Sequence, residues 1–170
     1  MGDADNWKIL AEGSIASTSK GQLVMKAVDR YEHDYSVQII WLCVGSVTSQ
    51  LYWQSNAPVD LSELHAAGGV LSMVLQLEEA PAGAVMLRMD CEYPCTGALD
   101  VSTMLRDRAI GEWQRVSIPL DCFAAAGADF KRITTPFLLA TDSALSLRIS
   151  EISLLTQAPA TTLVSCPVIE

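Results

Sequence analysis

The sequence predicts an all-β fold, a jelly-roll β-sandwich of about eight antiparallel strands. Short segments alternate apolar and polar residues, which is the pattern of strands that bury one face. Gly, Pro, Asn and Asp interrupt these segments about every ten residues, as turns do in sandwiches. Half of the 170 residues are hydrophobic, and helical periodicity is scarce. A chain of this length most readily builds one hydrophobic core, so residues 1–170 are predicted to form a single domain.

The predicted strands span residues 22–155, the expected core of the domain, and residues 156–170 form a C-terminal tail. The strands are Gln22–Val28, Val37–Val44, Thr48–Gln54, Val70–Glu78, Ala84–Cys91, Gln114–Pro119, Phe137–Thr141 and Leu145–Leu155. Three connecting segments begin with an Asp or Ser that suits a helix N-terminus and are predicted to be single helical turns. They are Asp60–Ala67, Ser102–Arg106 and Asp121–Ala126. The tail is expected to be loose unless Cys166 anchors it.

Side-chain alternation assigns the buried face of each long strand. The residues expected inside are Leu71, Met73, Leu75, Leu77, Val85, Leu87, Met89, Val116, Ile118, Leu145, Leu147 and Ile149. If these strands are neighbours, their outer face carries Arg88, Arg115 and Arg148 with Asp90 and Trp113. Such a face is either a solvated surface on which arginines pair with carboxylates, or a carbohydrate cleft.

Carbohydrate suits a polar face that also carries aromatic rings. Sugar rings stack on aromatic side chains, while sugar hydroxyls exchange hydrogen bonds with Arg, Gln and Asp. Tyr52 and Trp53 are adjacent on one predicted strand and must face opposite ways, so one is expected to be buried. The two-residue period of side chains along the strand favours Tyr52 as the exposed member of the pair. The predicted sugar-binding residues are Tyr52, Trp53, Trp113, Arg88, Asp90 and Gln54.

Charge and motifs disfavour several classes of function. Eleven basic and twenty acidic residues give a formal charge of −9, which repels nucleic acids and anionic membrane surfaces. The apolar runs are shorter than the roughly 20 residues of a membrane span. No nucleophile elbow, zinc-binding helix or phosphate loop is present. A glycosidase needs two carboxyl groups in its cleft, and Asp90 is the one expected on the candidate face, so the domain is predicted not to be an enzyme.

The five cysteines favour disulfides over a metal site. Cys91 and Cys95 flank a turn containing a proline, which brings two strand ends within disulfide range. A second bridge between Cys122 and Cys166 is possible by parity, and Cys43, in an apolar run, is expected to be a buried thiol. Disulfides indicate an extracellular or periplasmic location. The N-terminal residues do not resemble a signal peptide, so an export signal is expected to have been removed.

The run Gly111–Phe130, GEWQRVSIPLDCFAAAGADF, resembles the C-terminal jelly-roll module of family 3 bacterial exo-β-glucanases. The similarity extends over residues 22–155 and includes Met89–Cys91 with Cys95, and Ile149–Leu154. The resemblance implies a galactose-binding-like sandwich, a secreted polysaccharide-degrading context and a Cys91–Cys95 bridge.

Two features depart from that module: no catalytic barrel accompanies the sequence, and the Tyr52–Trp53 pair is more aromatic than the family pattern. The chain therefore looks like a carbohydrate-binding module of the family 81 type. That resemblance implies β-1,4 and mixed-linkage β-glucans, including cellulose chains and xyloglucan, as ligands. It also implies a glycoside hydrolase catalytic domain as a partner in the parent protein.

Jelly-roll modules of this kind often hold a structural calcium ion with six to eight oxygen ligands. Glu151 and Asp34 are the expected ligands, with Asp29 and Glu32 as further partners. The alternative is a solvent-exposed acidic turn.

Two rival functions remain for the whole domain. One is a structural accessory domain of a family 3 β-glucosidase or exo-glucanase, which binds no sugar itself. A small glycosidase is the other rival, and it requires a carboxylate pair that the sequence does not show.

Overall fold

A computed structural model shows a two-sheet β-sandwich and describes residues 1–3, 9–31, 34–42, 47–158 and 160–166. Its strands are β1 (Gly2–Asp3), β2 (Ile9–Glu12), β3 (Ile15–Thr18), β4 (Leu23–Tyr31), β5 (Asp34–Trp41), β6 (Ser49–Trp53), β7 (Val70–Glu79), β8 (Val85–Cys91), β9 (Thr96–Asp100), β10 (Trp113–Pro119), β11 (Ile133–Thr141) and β12 (Leu145–Leu155). Short helices α1 (Ser62–Ala66), α2 (Ser102–Arg106) and α3 (Leu120–Ala125) and a 3₁₀ turn (Ala160–Thr162) connect or follow them. No helix in these ranges is long and apolar enough to cross a bilayer.

The described strands form two antiparallel sheets, as the sequence predicts. One sheet has five strands in the order β1-β6-β11-β8-β9, and the other has seven in the order β10-β7-β12-β5-β4-β3-β2. The residues expected inside β7, β8, β10 and β12 are at most 7% exposed. A register shift in β12 between Ile149 and Glu151 keeps Ile152 on the same inner face. The predicted pattern of buried residues is therefore confirmed.

Four strands were not predicted, and their sequences explain why. β2 and β3 form a hairpin around Gly13 (φ 59°), and its apolar residues Ile9, Leu10 and Ile15 are 45–49% exposed, so they show no alternation of burial. β1 has only two residues. β9 contains Gly97, a weak strand former, at which an added Cβ would collide with the carbonyl oxygen of Phe123. The strand needs glycine because α3 packs so closely against it.

β11 begins at Ile133 rather than at the predicted Phe137. Pro136 lies inside the strand, and proline lacks the N–H that a ladder needs. The ladder between β11 and β8 shifts register between Thr135 and Leu138, which is where the missing donor is tolerated.

The predicted Cys91–Cys95 disulfide is present, and so is the Cys122–Cys166 bridge that the sequence left open. The Cα atoms of Cys91 and Cys95 are 5.0 Å apart, and those of Cys122 and Cys166 are 5.2 Å apart. The second bridge fixes residues 160–166 along β10, where the Val164 N–H donates to the Ser117 carbonyl at 2.9 Å. This part of the tail is therefore anchored. The Cys43 prediction lies outside the described residues.

Candidate functional site

The outer face of the five-stranded sheet carries a shallow groove. Across this face Tyr52, Leu138 and Arg88 are neighbours on β6, β11 and β8. The groove, called the outer groove below, has a volume of about 400 Å³ and is lined by Gln50, Tyr52, Gln54, Arg88, Asp90, Thr135 and Leu138. Four of the six predicted sugar-binding residues therefore come together here, namely Tyr52, Gln54, Arg88 and Asp90.

The charged centre of the outer groove is an ion pair within one strand. Arg88 Nη2 donates to Asp90 Oδ2 at 2.8 Å and to Oδ1 at 2.9 Å, and Arg88 Nε donates to Oδ1 at 3.1 Å. The Thr96 hydroxyl also donates to Asp90 Oδ1, at 2.6 Å. The two side chains are 34% and 20% exposed. Their charges cancel locally, so the groove offers fixed donors and acceptors without net charge.

Tyr52 and Leu138 form the apolar part of the outer groove. Tyr52 is half-buried, whereas Leu138, its cross-strand neighbour, is only 5% exposed although it points outward. An aromatic ring beside an aliphatic side chain is a surface on which the C–H face of a sugar packs.

Trp53 points away from the outer groove, on the opposite side of β6 from Tyr52. Its ring meets the edge of Phe137, with ring centroids 5.3 Å apart and planes at 71°. The prediction that one member of the Tyr52–Trp53 pair is buried is wrong, because Trp53 is 52% exposed. It lies at the end of β6, beside an apolar cleft of about 510 Å³ between the two sheets that is lined by Met25, Ile39, Leu51, Leu154 and others.

Trp113, Arg115 and Arg148 do not share a face with Arg88. They lie on β10 and β12 of the seven-stranded sheet, whereas β8 belongs to the other sheet, so the predicted single face with three arginines is wrong. Arg115 Nη2 is 2.7 Å from Glu151 Oε2, and Arg148 Nε is 2.7 Å from Glu78 Oε1. The solvated-face alternative, in which arginines pair with carboxylates, describes this second face.

A second depression adjoins the outer groove at the end of β8 and is called the loop groove below. Its volume is about 560 Å³, and it shares Gln54, Arg88, Asp90 and Thr135 with the outer groove. Its other lining residues include Asn56, Pro58, Tyr93, Thr96 and Thr134.

The predicted set omits three residues that line the outer groove, Gln50, Thr135 and Leu138, and also Thr96, which lines the loop groove. Thr96 lies on the unpredicted strand β9, and Thr135 lies in the part of β11 that Pro136 obscured. Alternation continued backward from the buried Phe137 places Thr135 on the inner face, so the register shift between Thr135 and Leu138, which the sequence does not show, is what brings Thr135 beside Asp90.

The described residues do not assemble a calcium site around Glu151. Both of its carboxylate oxygens accept from Arg115, at 3.2 and 2.7 Å, and Ser153 donates to one of them at 3.0 Å. Among the described residues, no three His, Cys, Asp or Glu side chains lie close enough together to hold a metal. The side chain of Asp34 and all of Glu32 lie outside that part of the chain. Calcium binding stays a prediction.

The chain belongs to the Exop_C family of galactose-binding domain-like proteins, whose model matches residues 1–154. This membership confirms the galactose-binding-like prediction and agrees with the resemblance to exo-β-glucanase modules. No curated protein matches the sequence.

Solved structures with the same fold include the extra C-terminal domain (X) of the exo-1,3/1,4-β-glucanase ExoP from a Pseudoalteromonas species. The TM-score is 0.70 at 23% identity, covering 99% of this chain and 90% of that domain. In the whole ExoP enzyme, the matched part is 20% of the chain. The family 30 carbohydrate-binding module of the cellulosomal cellulase Cel9D-Cel44B of Clostridium thermocellum matches with a TM-score of 0.61 at 17% identity, covering 89% of this chain and 91% of that one. These matches show a shared fold, and the family 81 type stays a prediction.

Proposed function

We propose that the domain is a non-catalytic carbohydrate-binding module that holds neutral β-glucan chains in the outer groove. One observation carries the proposal: a locally neutral Arg88–Asp90 pair lies beside an outward-facing Tyr52 on one open sheet face. The names of similar structures support it, since they include family 30 carbohydrate-binding modules and a domain of an exo-1,3/1,4-β-glucanase.

The chemistry of the outer groove suits a neutral sugar. A sugar ring packs its C–H face on Tyr52, while its hydroxyls accept from Arg88 and donate to Asp90. The amides of Gln50 and Gln54 both donate and accept. Because Arg88 and Asp90 cancel each other, binding is expected to depend little on salt. These features favour β-1,4 and mixed-linkage glucans such as cellulose chains and xyloglucan over charged polymers.

In the parent protein, the domain is proposed to accompany a glycoside hydrolase catalytic domain. Tethering a catalytic domain to a polymer raises the effective concentration of substrate around it, even when each module binds weakly. Two disulfides fit an extracellular or periplasmic setting.

Affinity electrophoresis tests the proposal directly. The domain is run in gels that contain xyloglucan, barley β-glucan, xylan or no polymer, beside Tyr52→Ala and a matched control, Tyr35→Ala. Tyr35 is 75% exposed on β5 of the other sheet, so both variants remove one tyrosine ring. The glucans are expected to retard the wild type and Tyr35→Ala but not Tyr52→Ala. Absence of retardation in every gel, or equal retardation of both variants, contradicts the proposal.

A second candidate function is favoured by the β2–β3 hairpin at the edge of the seven-stranded sheet. Its apolar side chains Ile9, Leu10 and Ile15 are 45–49% exposed, which suits packing against another protein domain. On this alternative, the domain orients a neighbouring catalytic domain and binds no sugar. It predicts that no gel retards the wild type.

A further inference from the structure

We infer that the site continues from the outer groove into the loop groove and ends on Tyr93, which serves as a second aromatic platform. The domain would then bind several consecutive sugar rings of a glucan chain. This inference rests on the proposed function and specifies the form of glucan that the site takes.

The two grooves are continuous. Gln54, Arg88 and Asp90 line both of them, so the same side chains form the floor where one passes into the other. From Arg88, β8 continues to Cys91, a distance of roughly 10 Å at the rise of an extended strand, and Tyr93 lies beyond it in the loop that follows. A path of this length exceeds one sugar ring, and a linear glucan is the ligand whose shape follows it.

The loop groove offers the same chemistry as the outer groove. Its side chains include the amide of Asn56 and the hydroxyls of Thr96 and Thr134, and Pro58 and Pro94 add apolar surface. The Asn56 amide donates and accepts hydrogen bonds, and the two threonine hydroxyls, which donate to Asp90, can accept from a sugar hydroxyl. Glu92 in the loop groove lies 3.9 Å from Arg132, which also pairs with Asp129 at 2.9 Å, so the charge of Glu92 is only partly compensated.

Tyr93 is held in an exposed position by the backbone around it. It is 97% exposed, at the tip of the loop that the Cys91–Cys95 disulfide closes. At the base of the loop the Cys91 N–H donates to the Cys95 carbonyl at 3.1 Å, and the Glu92 N–H donates to the Arg132 carbonyl at 3.2 Å. A platform on such a tied loop loses little conformational entropy when a ligand binds.

The test is a calorimetric titration with linear β-glucan oligosaccharides of increasing length, from trisaccharide to hexasaccharide. The proteins compared are the wild type, Tyr93→Ala, Tyr93→Phe, Tyr52→Ala and the control Tyr35→Ala. Tyr93→Ala is expected to bind the trisaccharide as the wild type does and the hexasaccharide roughly three- to tenfold more weakly, the range of one aromatic contact. Tyr93→Phe keeps the ring and is expected to restore hexasaccharide binding, whereas Tyr52→Ala weakens binding at every length.

Two results overturn the inference, and they are distinguishable. If Tyr93→Ala binds every oligosaccharide as tightly as the wild type, or loses the same factor at every length, the loop groove is not a separate subsite, although the proposed function survives. If the wild type binds none of the oligosaccharides, both the proposed function and this inference fail.

Discussion

The two outer faces of the sandwich carry similar residue types but pair their charges differently. On the five-stranded sheet, Arg88 pairs with Asp90 two residues along the same strand. On the seven-stranded sheet, Arg115 of β10 pairs with Glu151 of β12, and Arg148 of β12 pairs with Glu78 of β7. An ion pair within one strand leaves the outward side chains of the neighbouring strands uncovered. An ion pair between strands covers the outward side chains that lie between its two partners. The arrangement of partners therefore differs between the two polar faces, and the outer groove lies on the face whose ion pair stays within one strand.

The C-terminal tail adds to this difference. Residues 160–166 lie along β10 through the Val164–Ser117 backbone hydrogen bond and the bridge from Cys166 to Cys122. As a result Ser117 is fully buried, although it alternates with the inward-facing Val116 and Ile118. Under the proposed function, the seven-stranded face contributes to stability and the five-stranded face binds the ligand.

Removing the tail disulfide is expected to have the largest effect, on stability alone. Cys122 and Cys166 are 44 residues apart, and a closed loop of that length stabilises a fold by about 4 kcal/mol in the chain-entropy model. The double variant Cys122→Ala, Cys166→Ala should therefore unfold at a much lower urea concentration. Its retardation by glucan at low temperature should match that of the wild type. A loss of glucan binding in a variant that is still folded would contradict the assignment of stability and glucan binding to different faces.

Trp53→Ala is expected to cost about 1–2 kcal/mol, less than a fully buried tryptophan because half of the ring is already exposed. The lost contact is the edge-on packing against Phe137. Because Trp53 faces the cleft between the sheets, glucan affinity should not change. Urea unfolding of the variant measures the loss of stability, and affinity electrophoresis measures its glucan affinity. Weaker glucan binding would place Trp53 in the binding site.

Glu78→Gln should remove the part of the protein's pH-dependent stability that comes from ionisation of Glu78. Burial opposes ionisation of Glu78, but hydrogen bonds from Gln38 and Ser146 and the charge of Arg148 outweigh it, so the pKa of Glu78 lies below its ordinary value of 4.5. A carboxyl group whose pKa is lowered by folding stabilises the protein above its unfolded pKa, and this stabilisation disappears as pH falls through the folded pKa.

The variant should therefore be less stable than the wild type at pH 7, by about 1 kcal/mol or less, and equally stable well below pH 4.5. Urea unfolding at a series of pH values measures the difference. A gap between the two proteins that does not change with pH would show that the charge of Glu78 contributes nothing.

Asp90→Asn is expected to have the smallest effect, on binding. The amide keeps one acceptor oxygen but leaves the charge of Arg88 uncompensated, so affinity for neutral glucan should fall roughly threefold, as for the loss of one hydrogen bond. The variant should also bind acidic polysaccharides in a salt-dependent way. Gel retardation at two salt concentrations measures both effects, with Asp142→Asn, an exposed turn residue, as the matched control. If Asp90→Asn and the wild type show the same preference for neutral glucan over acidic polysaccharides, the neutrality of the Arg88–Asp90 pair does not determine that preference.

The sequence predicted correctly the features that depend only on the alternation of side chains along one strand. Leu71 and Met73 are buried, and Arg88 and Asp90 share an outer face, because alternation needs no knowledge of the strand order. Trp113 was misplaced because its face depends on which strands adjoin β10, and that order is set by contacts between residues far apart in the chain. Thr135 was missed because Pro136 concealed a strand that a register shift makes possible.

The most direct test of the central claim is a map of the binding surface by NMR, in which a soluble mixed-linkage β-glucan oligosaccharide is titrated into the isotope-labelled domain. Shifted amide signals are expected on β6, β8 and β11 around Tyr52, Arg88 and Thr135, and to extend to Tyr93 with longer oligosaccharides. Signals that shift instead on β7, β10 and β12, or no shifts at all, would contradict the assignment of the five-stranded face as a glucan-binding surface.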